Sequence, residues 1–185
     1  MPLLILDRDG VINRDSDDYI RCVADWTPIP GSIKAIADLS RAGYRIAVAS
    51  NQSGLGRGYF TEQDLEEIHA RLCALVEDGG GHISGIFYCP HLPEEGCNCR
   101  KPATGLLDTI ARELGEPLQG AYLIGDSLKD LQAAQAAGCR PLLVKSGKGM
   151  ATLKTLHSGG APLANPLDIP VYDDLAAAAR AILAG

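Results

Sequence analysis

Short apolar segments that stop at a polar loop are the feature that most constrains the fold of this chain. They cover residues 3–6, 45–49, 83–88, 121–124 and 141–144. Helical patterns separate them, and strands that alternate with helices predict βαβ units and a parallel sheet. The sequence therefore predicts an α/β fold: a Rossmann-like open sheet, mainly parallel, with helices on both faces, in one domain covering residues 1–185.

Capping and glycine signals locate the helices between these strands. Predicted helices span residues 31–43, 61–78, 104–114, 127–137 and 175–183. Gly43 is placed to end the first helix, and Thr61 with Asp64 resembles a capping box. Residues 11–30 form a long irregular stretch, which predicts a flap over the site. Residues 158–166 read as a Gly/Pro-rich loop before a short strand at 169–171.

Two carboxylates, Asp7 and Asp9, directly follow the first predicted strand, and Gly10 lets the backbone turn away. In an open α/β sheet, ligands bind beyond the carboxyl ends of the strands, where such a pair can hold a divalent cation beside a nucleophile. Aspartate is also common in turns, so the pair taken alone is compatible with ordinary turn structure.

Three further polar segments follow predicted strands. Ser50, Asn51, Gln52 and Ser53 supply a hydroxyl and loop amides suited to phosphate oxygens; Arg100 and Lys101 supply two cations; Asp126 and Asp130 supply two more carboxylates. Because carboxyl ends of parallel strands meet at one edge of a sheet, these segments and the Asp pair predict a single site.

The four segments together match the requirements of phosphoryl transfer, which needs a nucleophile, cancelled phosphate charge and a proton for the leaving oxygen. Asp7 is the candidate nucleophile and would form an aspartyl-phosphate. Asp9 would protonate the leaving alkoxide and later activate water. Ser50 and the Asn51 amide would hold phosphate oxygens, and Lys101 would neutralise them.

The oxygen ligands in this set favour magnesium. Carboxylate and carbonyl oxygens suit a hard octahedral cation. The predicted ligands are the Asp7 side chain, the backbone carbonyl of Asp9 and Asp126.

A second cluster combines three thiols with one imidazole within a short loop: Cys89, His91, Cys97 and Cys99. Soft thiolates with imidazole favour tetrahedral zinc, and four protein ligands leave no open position, so the predicted zinc is structural. A disulfide loop or free thiols are the alternatives. The start Met1-Pro2-Leu3 lacks a signal-peptide pattern, which disfavours disulfides and predicts a cytoplasmic location.

The remaining cysteines and histidines have no ligand partners nearby in sequence. Cys22, Cys73 and Cys139 are predicted to be unpaired, with Cys73 on an apolar helix stripe. His69, His82 and His157 are predicted to be ordinary surface or core histidines.

Charge and hydropathy exclude other classes of protein. Formal net charge is −6, with no long basic run, so no nucleic-acid-binding face is indicated. No apolar run reaches the ~20 residues of a membrane span. We expect a monomer that acts on a small phosphorylated molecule.

The order acid pair, hydroxyl, lysine and acid over residues 3–147 resembles the haloacid dehalogenase-like phosphotransferases. The resemblance implies Mg²⁺-dependent phosphatase chemistry at the residues named above. It also implies that Asp130 orients Lys101 or metal-bound water, although a capping or solvated Asp fits the sequence equally well. Residues 11–49 and 54–100 leave no room for the large cap domain of many members.

Additional motifs are similar to those of family members that act on sugar bisphosphates: G-R-G-Y-F-T, C-P-H and C-N-C-R-K-P. This resemblance implies substrate contacts from Asp15, Tyr19 and residues 50–53, and contact between Arg100 and a distal phosphate. Arg57 is a weaker candidate for that contact. The short cysteine loop and the spacing of residues 15–19 depart from the usual pattern and bear on specificity.

Two alternatives remain open on the sequence. Histidinol-phosphate phosphatases share the catalytic set and the cysteine loop, and the acidic residues 15–18 would suit a cationic amine. A different class of explanation is a zinc-bearing interaction module without catalysis, in which the acidic motifs only cap turns.

Overall fold

A six-stranded, wholly parallel sheet forms the centre of the computed structural model, which describes residues 1–185. Its spatial order is β3-β2-β1-β4-β5-β6. The strands are β1 (Leu3–Leu6), β2 (Arg45–Asn51), β3 (Gly85–Cys89), β4 (Tyr122–Gly125), β5 (Arg140–Val144) and β6 (Val171–Tyr172). The order reverses direction at β1, so a crevice opens beyond the carboxyl ends of β1 and its neighbours.

Seven helices connect the strands: α1 (Ser32–Arg41), α2 (Ser53–Gly56), α3 (Glu62–Asp78), α4 (Gly105–Leu114), α5 (Leu128–Ala136), α6 (Gly149–His157) and α7 (Leu175–Ala184). Short 3-10 turns cover Val23–Asp25, Pro93–Glu95 and Pro166–Asp168. Both members of the predicted capping box, Thr61 and Asp64, cap the start of α3.

Alternation along β1 builds a separate core on each face of the sheet. Leu4 and Leu6 belong to a cluster with apolar residues of α1, α3 and α7. Leu3 and Ile5 belong to a cluster with residues of α4 and α5. All four side chains are buried, as expected for a strand with helices on both faces.

The predicted fold class is confirmed, with differences in detail. The sheet is entirely rather than mainly parallel. The strand predicted at 83–88 lies at Gly85–Cys89, and the one predicted at 169–171 lies at Val171–Tyr172. Helices α2 and α6 were not predicted, because α2 is only four residues long and α6 begins in a Gly-Lys-Gly sequence typical of a loop.

The irregular stretch 11–30 packs against the body of the protein along much of its length. Ile12, Ile20 and Trp26 are buried in the same core as α1 and α3. Between these anchors, Asp15, Ser16, Asp17 and Tyr19 line the crevice. None of the helices is both long and apolar enough to cross a membrane.

Candidate active site

The sequence-predicted polar segments meet at one cavity of about 450 Å³ at the carboxyl ends of the strands. Its lining includes Asp7, Asp9, Asp15, Tyr19, Ser50, Asn51, Gln52, Ser53, Arg100, Lys101, Asp126 and Asp130. A larger cavity, about 890 Å³, lies near the opposite ends of β4 and β5 and holds none of these residues. We place the site in the smaller cavity because the predicted polar segments converge there.

Lys101 is the centre of a buried charge network. Its ammonium donates to Asp7 Oδ1 at 3.0 Å, to Asp130 Oδ1 at 2.6 Å and to the Ala49 carbonyl at 2.7 Å. Burial alone would lower the pKa of Lys101, but the Asp130 and Asp7 carboxylates raise it, so the amine stays charged. This network fixes the lysine beside Asp7 and leaves its charge facing the cavity.

Asp130 performs both tasks that the sequence left open. One carboxylate oxygen accepts from Lys101, and the other accepts from the backbone and hydroxyl of Ser127 at 3.2 and 2.9 Å. Asp130 therefore caps helix α5 and also orients Lys101, and its side chain is only 1% exposed.

Three carboxylates lie close together with too few cations to balance them. Oxygens of Asp7, Asp126 and Asp130 all lie within 4.8 Å of one another. Burial, followed by the charge of Asp130, raises the pKa of Asp7 well above its usual range and that of Asp126 to about 7. Because Lys101 balances only part of this charge, a hard cation would stabilise the cluster.

Glycines allow the backbone to approach Asp126 closely. A Cβ on Gly10 or Gly147 would lie 2.1 or 2.3 Å from Asp126 Oδ2, and both residues have positive φ. The Lys148 N–H donates to the same oxygen at 2.8 Å. The backbone carbonyl of Asp9 accepts no main-chain hydrogen bond. These features fit magnesium bound by Asp7, Asp126 and the Asp9 carbonyl.

Four donors hold the Asp9 carboxylate. Arg8 reaches it with Nε at 2.9 Å and Nη2 at 3.2 Å, Asn13 donates at 2.9 Å, and Gln52 donates at 3.1 Å. Burial would raise the pKa of Asp9, but the Arg8 guanidinium and these hydrogen bonds together lower it. Sequence analysis missed Arg8 and Asn13, because nothing in the motif shows that either side chain turns back toward Asp9.

The end of β2 and the loop before α4 are joined directly. Asn51 donates to the Lys101 carbonyl at 3.1 Å and accepts from the Lys101 N–H at 3.0 Å. The buried Ser50 hydroxyl accepts from Gln52 Nε2 at 2.7 Å. Ser50, Asn51 and Lys101 are thus brought together on one side of Asp7, as predicted for a phosphate-binding group.

Cations and carboxylates occupy the rim of the cavity. Asp15, Asp17 and Tyr19 lie in the lining, together with Arg100, Lys129 and Lys148. Arg100 Nη1 is buried without a hydrogen-bond partner. Burial and the charges of Arg100 and Lys148 lower the pKa of Lys129, and all three cations line the same cavity.

Two rim assignments differ from expectation. Lys129 and Lys148 were not predicted, because only the tertiary arrangement brings the start of α5 and the loop after β5 beside Arg100. Arg57 is exposed and does not line the cavity. Its neighbour Tyr59 instead packs edge-on against Tyr19, with ring centroids 5.2 Å apart.

The four predicted soft ligands also come together. Cys89 Sγ lies 3.6 Å from Cys97 Sγ and 3.1 Å from Cys99 Sγ, and His91 Nδ1 lies 3.4 and 3.2 Å from Cys89 and Cys99. A tetrahedral zinc site has ligand separations of roughly 3.5–3.8 Å, so the arrangement fits zinc after small adjustment. All six cysteines are free thiols.

His69, predicted to be an ordinary surface or core histidine, contacts a residue that bonds Asp9. Its Nε2 lies 3.2 Å from Nη1 of Arg8, one step from Asp9. Cys73 packs against the core as a small apolar residue, as expected, Cys139 is buried in the other core, and His82 and His157 are exposed.

Sequence and structure comparisons identify the family. The model of the haloacid dehalogenase-like hydrolases matches residues 2–138, and a related HAD-hydrolase-like model matches residues 98–180. A Pseudomonas aeruginosa protein is 54% identical over 181 residues, covering 98% of this chain and 97% of its own length. A Neisseria meningitidis protein is 49% identical over 175 residues, covering 95% and 91% respectively. Both are named D-glycero-beta-D-manno-heptose-1,7-bisphosphate 7-phosphatase.

Two solved structures agree with this assignment over their full lengths. The D,D-heptose 1,7-bisphosphate phosphatase of Bordetella bronchiseptica, complexed with magnesium and phosphate, has a TM-score of 0.92 at 44% identity and covers 100% of this chain and 99% of its own. The corresponding Burkholderia thailandensis enzyme has a TM-score of 0.75 at 36% identity, covering 100% of both chains. This chain therefore belongs to the haloacid dehalogenase-like hydrolases.

Proposed function

We propose that this enzyme is a Mg²⁺-dependent phosphatase that removes the 7-phosphate of D-glycero-D-manno-heptose 1,7-bisphosphate. The names of the relatives support the substrate and its β anomer. The reaction would serve synthesis of the nucleotide-activated heptose that bacteria use for lipopolysaccharide. We further propose that residues 1–185 act as one domain, as a monomer in the cytoplasm, where the cysteine loop stays reduced.

Asp7 is the proposed nucleophile. Lys101 and the Arg8 N–H both donate to Asp7 Oδ1, which fixes the plane of the carboxylate and leaves Oδ2 free of hydrogen bonds. Attack of this oxygen on phosphorus forms an aspartyl-phosphate, while the bond between phosphorus and the sugar oxygen breaks. Lys101, Ser50 and the Asn51 amide balance charge on the phosphate oxygens during this step.

Asp9 is the proposed acid and base. Its lowered pKa leaves it ionised, so it must first take up a proton, which the negative charge of a bound phosphate favours. It then gives this proton to the leaving sugar oxygen, and it later takes a proton from the water that hydrolyses the aspartyl-phosphate. Its side chain is 24% exposed, so it is held from behind by Arg8 yet open to the cavity. Gln52 links Asp9 to the Ser50 hydroxyl and so aligns the two sides of the phosphate site.

Asp7, Asp126 and the Asp9 carbonyl would hold magnesium. The bound cation supplies charge neutralisation and lets the phosphate approach a group of carboxylates. We propose zinc at Cys89, His91, Cys97 and Cys99. Because Cys99 directly precedes Arg100 and Lys101, a structural metal there would keep both cations in register with the cavity.

The cations on the rim would favour a bisphosphate substrate. Lys101 is already bonded to Asp7 and Asp130, whereas Arg100 has a buried N–H without a partner and lies near Lys129 and Lys148. A guanidinium with two lysines matches a second phosphate, whose oxygens accept several charge-assisted hydrogen bonds.

Histidinol phosphate is the second candidate, because Asp15 and Asp17 also face the cavity. A cationic amine would gain from these carboxylates, but it would be repelled by Arg100, Lys129 and Lys148 in the same lining. Lys148 Nζ lies 3.8 Å from Asp15, which further reduces the charge available to an amine. A non-catalytic zinc module does not explain why Asp7, Lys101 and Asp126 converge in one buried, charged cluster.

Phosphate release from a panel of phosphorylated substrates tests the proposal. The wild-type enzyme should show higher kcat/KM for the heptose bisphosphate than for histidinol phosphate. Arg100→Ala should raise KM and lower kcat/KM for the bisphosphate by roughly 10-fold, the value of one or two charge-assisted contacts, while hydrolysis of a small monophosphate changes little. Arg140→Ala, at the opposite end of the sheet, is the control. Preference for histidinol phosphate would promote the second candidate instead.

A further inference from the structure

Arg8 is a buried cation with a defined set of partners. Its side chain is 0% exposed, although it lies between two residues that face the cavity. Nε and Nη2 form a fork onto the Asp9 carboxylate. A bidentate fork fixes the orientation of a carboxylate more strictly than a single contact does. The orientation of Asp9 therefore depends on where the guanidinium itself is held.

His69 holds the remaining end of that guanidinium. It lies on α3, on the far side of Arg8 from Asp9, and its Nε2 is 3.2 Å from Arg8 Nη1. Because a guanidinium only donates, Nε2 must accept and the ring proton must lie on Nδ1. Burial and the Arg8 charge lower the pKa of His69 to about 4, which agrees with a neutral ring. The ring also packs near Tyr88, with centroids 6.0 Å apart.

We propose that Arg8 and His69 are positioning residues, forming a relay from helix α3 through the guanidinium to Asp9 that aims the Asp9 carboxyl at the leaving oxygen. Neither residue lines the cavity, so neither touches the substrate. The inference rests on the proposed function, since it concerns the proton transfer assigned to Asp9. Loss of the contact between His69 and Arg8 would leave Asp7 and Lys101 in place but let the Asp9 carboxyl group change its orientation.

The contacts to Asp9 differ in how strongly they fix the orientation of its carboxylate. Asn13 donates to Oδ1 of Asp9 and Gln52 donates to Oδ2, each through one neutral hydrogen bond. Arg8 is the only side chain that bonds both oxygens at once, and its bonds are charge-assisted, so it constrains the plane of the carboxylate most strongly. Without the acceptor on His69, the buried Nη1 group would lose its partner, and Arg8 would shift toward other acceptors at the expense of Asp9.

Leaving-group dependence distinguishes this role from general support of the fold. 4-Nitrophenolate leaves without a proton, whereas a sugar alkoxide needs one, and kcat/KM reports only steps up to formation of the aspartyl-phosphate. The two substrates to compare are the heptose bisphosphate, an alkyl phosphate whose leaving group is a sugar alkoxide, and 4-nitrophenyl phosphate. His69→Leu, which removes the acceptor, should lower kcat/KM for the alkyl phosphate by about 10-fold or more, a fraction of what a well-placed acid supplies. For 4-nitrophenyl phosphate the loss should be under about 2-fold.

A conservative variant and a matched control complete the test. His69→Gln keeps an acceptor that can reach Arg8, so it should recover most of the activity on the alkyl phosphate. His82→Leu, an exposed histidine beyond the end of α3, should leave both substrates unaffected. The ratio of the kcat/KM values for the two substrates, measured in one preparation, does not depend on the fraction of folded protein. A partly unfolded variant therefore still gives an answer.

Three results would overturn the inference. Equal losses by His69→Leu on both substrates would show a structural role only. A Gln variant as impaired as the Leu variant would show that the acceptor is not what matters. Absence of phosphate release by the wild-type protein would refute the proposed function itself, and the inference with it.

Discussion

The two clusters of metal-binding side chains are assembled in opposite ways. Asp7 and Asp126 follow two strands, β1 and β4, that are distant in sequence and meet only when the sheet forms, and Asp130 lies in the first turn of α5. The cluster of Cys89, His91, Cys97 and Cys99 spans only the end of β3 and the loop that follows it. The first cluster therefore reports on the fold as a whole, whereas the second can close locally. Hard oxygens in one and soft sulfurs in the other separate the two metals by chemistry.

The clusters are nevertheless connected through a few residues. Cys99 is followed by Arg100 and Lys101, and Asn51 bonds the Lys101 backbone in both directions. Substitutions in the oxygen cluster, Asp7, Asp126 and Asp130, should abolish phosphate release. Substitutions in the sulfur cluster, Cys89, His91, Cys97 and Cys99, should change how the substrate is bound. Variants in each cluster can break or sharpen this distinction.

The largest effect is expected from Asp7→Asn. The amide still accepts from Lys101, so the fold should persist, but it is a poor nucleophile. Activity should fall by at least about 10³-fold on every substrate, measured as phosphate release. Asp108→Asn, on the exposed side of α4, is the control. Near-normal turnover by Asp7→Asn would contradict the aspartyl mechanism.

Lys101→Met should be the next most severe change. It leaves Asp7 and Asp130 without their shared cation, so activity should fall by roughly 10²-fold and the free energy of unfolding by about 3 kcal/mol. Urea unfolding and phosphate release measure the two effects. Lys145→Met removes an exposed ion pair with Asp173 and should alter neither. An unchanged kcat for Lys101→Met would place the lysine outside the catalytic group.

Loss of the sulfur cluster should have a smaller and different effect. Metal analysis should find about one zinc per chain in the wild type and less in Cys97→Ser. Because the loop carries Arg100, KM for the bisphosphate should rise several-fold, with less change in kcat. Cys73→Ser is the matched control. A disulfide among these cysteines in protein kept reduced throughout would contradict the zinc assignment.

The smallest effect is expected in the pH dependence of the free energy of unfolding. The pKa of His69 is lowered from 6.5 to about 4 in the folded protein. Between these values the unfolded chain binds more protons than the native one, so stability is lost as pH falls from 6.5 toward 4 and is fully present above 6.5. His69→Gln should flatten this part of the pH profile of unfolding, whereas His82→Gln should not. An unchanged profile would show that His69 does not contribute.

The oxygen cluster and the sulfur cluster were both visible in the sequence, for different reasons. Asp7 and Asp126 follow predicted strands, and parallel strands bring their ends together. The thiols lie within one short segment.

What sequence could not supply is adjacency that depends on side-chain direction or on distant loops. Arg8 lies within the most conspicuous motif, yet its turn toward Asp9 and His69 depends on the packing of α3. Lys148 reaches Asp126 because β5 lies beside β4 and its following loop turns back over the site. Arg57 was a candidate because of a motif, but the short helix α2 leaves it exposed to solvent.

The three rim cations also bear on product release. On the proposed assignment, Arg100, Lys129 and Lys148 hold the phosphate that is not cleaved, so they hold the sugar monophosphate product as firmly as the substrate. The product should therefore compete with fresh substrate, and its dissociation should limit turnover more at low ionic strength than at high, where the cations are screened. The residues that select a bisphosphate would then also determine how fast the product dissociates before the next turnover.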